Sequence, residues 1–223
     1  MDMNYSRIIE IVRKRLENAH NMSKEHIRKN FFLAEYSFLK KHIKNKKVLV
    51  AGSGLGHDSI EIAKNNKEVV GIELIKEYVG IAKKKVEEQR IKNVIFKQGD
   101  FRHLPYKDNI FDVAVLNMGT ISDFKDKASV LKELLRVAKK VYFDFYPNTK
   151  KGLEKRKKMY GEEGWKKVRI YREIIVSDDG LYSESVPKEK IRKIAKTIRA
   201  EVTFNDFCDF ATIAKLSRRG LIW

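Results

Sequence analysis

The sequence predicts an α/β protein built on a mostly parallel sheet. Three observations predict it. Short, wholly apolar runs recur, as at Val48-Leu49-Val50 and Val69-Val70-Gly71-Ile72. Amphipathic helical segments separate the runs. The turns after the runs carry glycine or an acid, as at Gly52 and Gly99-Asp100. Continuous apolar runs suit strands buried on both faces. Strands alternating with helices imply parallel pairing through right-handed crossovers.

Residues 5–19 read as an amphipathic helix, with Ile8, Ile11 or Val12, and Leu16 at helical spacing. A second helix runs from about Ser23, its N-cap, to Ile43. Phe31, Phe32, Tyr36 and Phe38 make it aromatic, which suits core packing or the wall of a pocket. Strands follow at Lys47–Ala51, Glu68–Glu73, Val94–Lys97, Phe111–Asn117 and Val141–Tyr146. Helices fall between them at His57–Asn66, Ile75–Gln89 and Lys125–Ala138. The pattern changes after Pro147. Residues 148–167 are very basic and carry Gly152, Gly161 and Gly164, and no element is assigned there. Val168–Val176 reads as one strand, Asp178-Asp179-Gly180 as a turn and Leu181–Val186 as its return. Pro187 opens a helix to about Ile198, and two strands close the chain near Glu201–Asp206 and Phe210–Leu216.

The 223 residues suffice for one α/β domain with an elaboration. Its parts are a helical cap (1–45), a core (46–147), an insertion (148–187) and a C-terminal helix with strands (188–223). No apolar run approaches the roughly 18 residues needed to span a membrane. Cys208 is the single cysteine, which excludes an intrachain disulfide and suits a cytoplasmic setting. The five histidines lie outside metal-ligand spacing, so no metal is expected. The formal charge of +18 invites a nucleic-acid partner. Lysine is nonetheless spread along nearly every segment, which equally suits a solvated surface, and a charge count alone locates no binding face.

The turn after the first strand reads Ala51-Gly52-Ser53-Gly54-Leu55-Gly56-His57-Asp58. Its glycines let backbone approach a ligand, and the helix beyond offers free N–H donors. The spacing is Gly-x-Gly-x-Gly, one residue short of the dinucleotide fingerprint, which favours a methionine-type tail over a pyrophosphate. Glu73 ends the second strand, 21 residues beyond Gly52, where a carboxylate can accept two ribose hydroxyls. Gly99-Asp100-Phe101 follows the third strand. There Asp100 can accept from an adenine amino group while Phe101 brackets the ring. Asn117-Met118-Gly119 ends the fourth strand, where its backbone would lie beneath a ligand.

The segments VLVAGSGLGHDS, VVGIEL, FKQGDFRHLPYKDNIFDVAVLNMG and RVAKKVYFDFYPN, in this order over roughly residues 46–147, resemble the class I S-adenosylmethionine-dependent methyltransferases. The resemblance implies the three-layer Rossmann-like methyltransferase fold: a seven-stranded, mostly parallel sheet with one antiparallel strand, here with N-terminal helices and an inserted β-hairpin. It implies S-adenosyl-L-methionine as cofactor. Gly52, Gly54 and Gly56 fall at the methionine moiety, Glu73 at the ribose, Asp100 and Phe101 at the adenine, and Asn117 near the sulfonium. Ser53, Asp58, Leu74 and Met118 complete the candidate cofactor set. One departure concerns the position before the first glycine, or two before it. The family often has an acid there, and this chain has Ala51 and Val50. The cofactor's ammonium then needs backbone carbonyls, water or another side chain.

A sulfonium methyl is already activated, so positioning and desolvation can carry much of the catalysis. Asp144 and Tyr146, near the end of the fifth strand, are candidates to orient or deprotonate an acceptor; a structural hydrogen bond would account for Asp144 equally. Segment 147–186 sits where this family places a substrate cover, which Phe31, Phe32 and Tyr36 would complete. A small-molecule acceptor, methylated on O or N, is the leading expectation. The alternatives are a tRNA or rRNA methyltransferase, favoured by Lys150-Lys151 and Lys155-Arg156-Lys157-Lys158, and a cofactor-binding protein without turnover. The glycine spacing disfavours an NAD-dependent oxidoreductase.

Overall fold

A computed structural model describes residues 27–218. The helix expected at 5–19 and the Ser23 cap lie outside them. The first described helix, α1 (Ile27–His42), precedes strand β1 (Lys47–Ala51). Then come α2 (His57–Ala63), β2 (Glu68–Glu73), α3 (Lys76–Glu88), β3 (Val94–Gln98) and β4 (Phe111–Leu116). A 3-10 turn (Thr120–Asp123) leads to α4 (Lys127–Val137), which passes directly into β5 (Ala138–Phe145). The remainder is α5 (Lys150–Glu162), β6 (Arg169–Tyr171), β7 (Ile174–Val176), β8 (Tyr182–Glu184), α6 (Lys188–Thr197), β9 (Ala200–Cys208) and β10 (Ala211–Arg218).

The main sheet has seven strands in the order β3-β2-β1-β4-β5-β10-β9. Strands β1 to β5 pair in parallel, with Val48 opposite Val69 and Val113. Strand β10 runs antiparallel to both β5 and β9. This is the predicted seven-stranded sheet with one reversed strand.

Alternation along a strand sends successive side chains to opposite faces, and β1 shows the result. Leu49 and Ala51 join one core with Leu131, Leu134 and Phe143. Val48 and Val50 join the other with Leu39, Ile60, Val79 and Phe96. Burial on both faces explains why the run is continuously apolar. Helix α4 is capped by Asp126, which accepts from the Ser129 amide at 3.0 Å. No helix among the described residues is long and apolar enough to cross a membrane.

The insertion departs from the expectation in two ways. The basic stretch contains α5, capped by the Thr149 hydroxyl, which accepts from the Gly152 amide at 3.0 Å. The expected strand 168–176 is instead a tight hairpin. Chain direction reverses at Arg172-Glu173, Arg172 taking φ 55°, so β6, β7 and β8 form a three-stranded antiparallel sheet. This layer has its own apolar core, in which Phe31, Tyr146, Met159, Tyr160, Trp165, Ile175, Leu181 and Phe210 are buried.

Candidate functional site

Parallel pairing brings the ends of β1, β2, β3 and β4 to one edge of the sheet, where ligands bind in open α/β folds. The glycine turn leaves β1 there with φ of 68° at Gly52, 51° at Gly54 and 85° at Gly56. Two amides fix it: Ser53 donates to the Ile72 carbonyl and Gly56 to the Ser53 carbonyl, each at 2.9 Å. Gly56 is also a packing requirement, since an added Cβ would lie 2.7 Å from the Phe96 ring and 2.9 Å from Ala82. Gly52 is exposed, and its missing Cβ would face the edge of the Phe101 ring at 3.4 Å. Bare backbone and an aromatic edge thus lie side by side at this end of the sheet.

Glu73 ties this turn to β2. Its carboxylate accepts from the Gly54 amide at 2.8 Å and the Ile75 amide at 2.9 Å. Burial raises its pKa, only partly offset by the amides of Ile75, Gly54 and Leu74. A carboxylate has about four acceptor sites, so acceptor capacity remains for a ligand beyond these amides. The neighbouring Leu74 carbonyl accepts from Gln98 Nε2 at 3.2 Å.

Asp100 is already engaged. Arg102 donates to both of its oxygens, the shortest contact being 2.6 Å, and the Arg102 amide adds another at 2.9 Å. Burial would raise the Asp100 pKa, but Arg102 outweighs it and the net shift is downward. An adenine amino group would therefore share Asp100 with Arg102, a partner the sequence reading missed. Asp58 lies in the first turn of α2, half-buried, and accepts from Asn117 Nδ2 at 3.0 Å. Burial pushes its carboxyl up to about 6, against the Asn117 hydrogen bond.

The turn after β4 closes the floor. The Asn117 carbonyl accepts from the Thr120 amide and hydroxyl at 3.2 and 2.6 Å. Met118 and Gly119 both take positive φ, 63° and 69°. The Met118 carbonyl accepts from the Tyr146 hydroxyl at 3.3 Å and from Arg28 Nη1 at 3.5 Å. Gly119 packs flat on Tyr146, where an added Cβ would sit 2.3 Å from the ring. Asp144 and Tyr146 are closed from solvent at 0 % and 1 %. As they stand, both support this turn from below.

Glu35 of α1 is the second site residue the sequence reading missed. It is buried, and its carboxyl accepts from the Met118 amide at 3.3 Å. Asp144 is its carboxyl neighbour, and the Gly119 and Asp144 amides partly offset the effect of burial on the Asp144 carboxyl. Burial raises the pKa of both groups, and for Glu35 the proximity of Asp144 and Asp58 raises it further. Two carboxyls in such a place share one proton between them. A signal was present: Phe31, Glu35 and Leu39 recur every fourth residue and are the buried face of α1.

Of the aromatic residues expected to wall a pocket, Phe31 lies in the core of the insertion. Tyr36 instead pins α1 to α2, its hydroxyl donating to Glu61 Oε2 at 2.7 Å, with Phe32 stacked on it. Surface grooves of about 360 Å³ beside Glu154, Gly161 and Trp165 and about 530 Å³ beside Asp126, Lys132 and Ile198 lie elsewhere and hold none of the converging residues.

Residues 42–144 match the family model of a methyltransferase domain. The demethylmenaquinone methyltransferase of Lactiplantibacillus plantarum is 33 % identical over 99 residues, which cover 43 % of this chain and 41 % of that protein. The chain thus spans about two-fifths of the length of the curated relatives it matches. Among solved structures, the PH0226 protein of Pyrococcus horikoshii superposes with TM-score 0.70 at 22 % identity, covering 88 % of this chain and 92 % of that one. Magnesium protoporphyrin IX methyltransferase of Synechocystis, solved with bound SAH, superposes with TM-score 0.67 at 18 % identity, covering 92 % and 93 %. The structural likenesses show that this chain has the fold of these proteins, and its match to the methyltransferase-domain family runs from the last residue of α1 to Asp144.

Proposed function

We propose that the chain binds S-adenosylmethionine at the carboxyl edge of β1 to β4 and transfers its methyl group to a small-molecule acceptor, on O or N. One observation carries this reading. The glycine turn is tied to the Glu73 carboxylate through the Gly54 amide at 2.8 Å, and exposed Gly52 lies beside the Phe101 ring, which an added Cβ would meet at 3.4 Å. That cradle fits a ligand with vicinal hydroxyls between a charged tail and a flat ring.

The residues divide the work. Glu73 accepts the ribose hydroxyls with its remaining acceptor capacity. Phe101 and Asp100 take the ring and its amino group. Ala51 stands where an acid is common, so Asp58, held by Asn117 at 3.0 Å, is the nearest acid for the ammonium. S-adenosylmethionine supplies, when bound, an activated methyl and a neutral thioether leaving group. No general acid is then required, and the chain's part is to align the acceptor and exclude water. Asp144 and Tyr146 act through the Met118-Gly119 turn that they support. The relatives named for demethylmenaquinone and for magnesium protoporphyrin support a small acceptor.

The charge of +18 favours a second reading, an RNA acceptor. Both are tested by incubating the chain with methyl-labelled S-adenosylmethionine and a cell extract split into RNA and small molecules. Label in the small-molecule fraction is expected. Label in RNA selects the second reading, and label in neither contradicts transfer.

A further inference from the structure

Arg156 is fully buried in the insertion, and all of its partners are neutral. Nη1 donates to Ser185 Oγ at 2.6 Å, and Nη2 to the Ser183 carbonyl and hydroxyl at 3.0 and 2.7 Å. The guanidinium lies 4.1 Å over the Tyr146 ring. Its Nε–H is closed from water and has no acceptor. A guanidinium stays charged in a protein, and burying it without an anion costs several kcal/mol.

Nothing about α5 demands that cost. Gly152, Arg156, Met159 and Tyr160 are the buried face of this helix, so position 156 belongs to a core stripe that a methionine would fill. The contrast with Arg28 is informative. Arg28 also lies against Tyr160, and it has its counter-ion within the chain, Glu163 at 2.5 Å. Arg156 is the cation left without one. Tyr146 links it to the Met118-Gly119 turn, since the same ring carries Arg156 on it and donates from its hydroxyl to the Met118 carbonyl.

We infer that Arg156 is the recognition group for a carboxylate on the acceptor, which supplies the missing counter-ion when it binds. Nε–H and an Nη–H form a planar two-donor fork that matches a carboxylate. Ser183, Ser185 and Tyr160 supply the hydroxyls around it, and Trp165 and Met159 the apolar wall for the rest of the molecule. A phosphate dianion would bring a second charge with no second free cation, because Arg28 is paired. The closed site requires α5 and the β6–β8 sheet to part as the acceptor enters. This inference rests on the methyl-transfer reading, and its test separates the two.

The full chain and an Arg156→Met variant are incubated with labelled S-adenosylmethionine and the small-molecule extract, before and after carbodiimide amidation of the extract's carboxylates. Amidation should lower the wild-type label at least about 10-fold, and the variant should lose label to the same degree with its affinity for S-adenosylhomocysteine unchanged. The variant's melting temperature should equal or exceed the wild type's, because an uncompensated buried charge has gone. Label that survives amidation overturns the inference. So does a fall in melting temperature of more than about 5 °C, which would make Arg156 a structural staple. No label with the untreated extract contradicts the methyl-transfer reading, and the melting comparison then decides the role of Arg156 by itself.

Discussion

At Gly56 a single methyl group collides with the core. The residue takes φ 85°, and a Cβ would meet Phe96 at 2.7 Å and Ala82 at 2.9 Å. Gly56→Ala should therefore cost about 2–3 kcal/mol in urea denaturation; unchanged stability would mean that the turn can relax. The Glu35–Asp144 pair gives a pH dependence of definite sign. Raised carboxyl pKa values mean that the native chain binds more protons than the unfolded one above the unfolded value of about 4. Stability from this pair is then lost as pH rises from about 4 through the raised values. Asp144→Asn supplies Glu35 with a donor that never ionises. It should raise stability at pH 8 by about 2 kcal/mol and change it little at pH 4, as read by denaturation at the two pH values. An equal change at both would remove the shared proton from the account. The glycines were legible in the sequence because φ between 51° and 85° restricts the residue type at once. Glu35 was legible only through its four-residue spacing from Phe31 and Leu39, and Arg156 was not, because a charged side chain on a lysine-rich helix reads as solvent-facing until its neighbours are known.

Among the elements, β1, β2 and β4 were legible because burial on both faces leaves a continuous apolar run. Helix α5 was hidden by Lys150, Lys151, Lys155, Lys157 and Lys158 and by two glycines, while only a narrow face is buried. The β6–β7 reversal was hidden for another reason. Its positive φ falls on Arg172, and the turn contains neither glycine nor asparagine. The sheet β6–β8 also cannot be cut away cleanly, since Ile175 and Leu181 are buried against Met159 and Tyr160. Point changes test the layer better. Phe31 is 1 % exposed and contacts Tyr146, Phe207 and Phe210 at ring separations of 5.9, 5.5 and 5.3 Å. Phe31→Ala should cost about 3–5 kcal/mol and expose α1 to limited proteolysis. Cleavage at the wild-type rate would show that α1 is held by other contacts.

Over the whole molecule, the strand order was legible only in part. Periodicity indicates parallel strands, but it does not say that β10 inserts between β5 and β9; the family resemblance did. That order gathers the ends of β1 to β4 at one edge, and the insertion covers the neighbouring end of β5 with Arg156, which lies over the Tyr146 ring. Exposed ion pairs such as Lys155–Asp209 and Lys188–Asp206 contribute little to stability. The central claim is that the glycine turn and Glu73 form a cofactor cradle. Its most direct test is calorimetric titration of the full chain with S-adenosylmethionine, comparing wild type with Glu73→Ala. The expected result is one site per chain in the wild type and affinity lower by about 10- to 100-fold in the variant. Absence of binding to the wild type, or equal affinity in the two proteins, would contradict it.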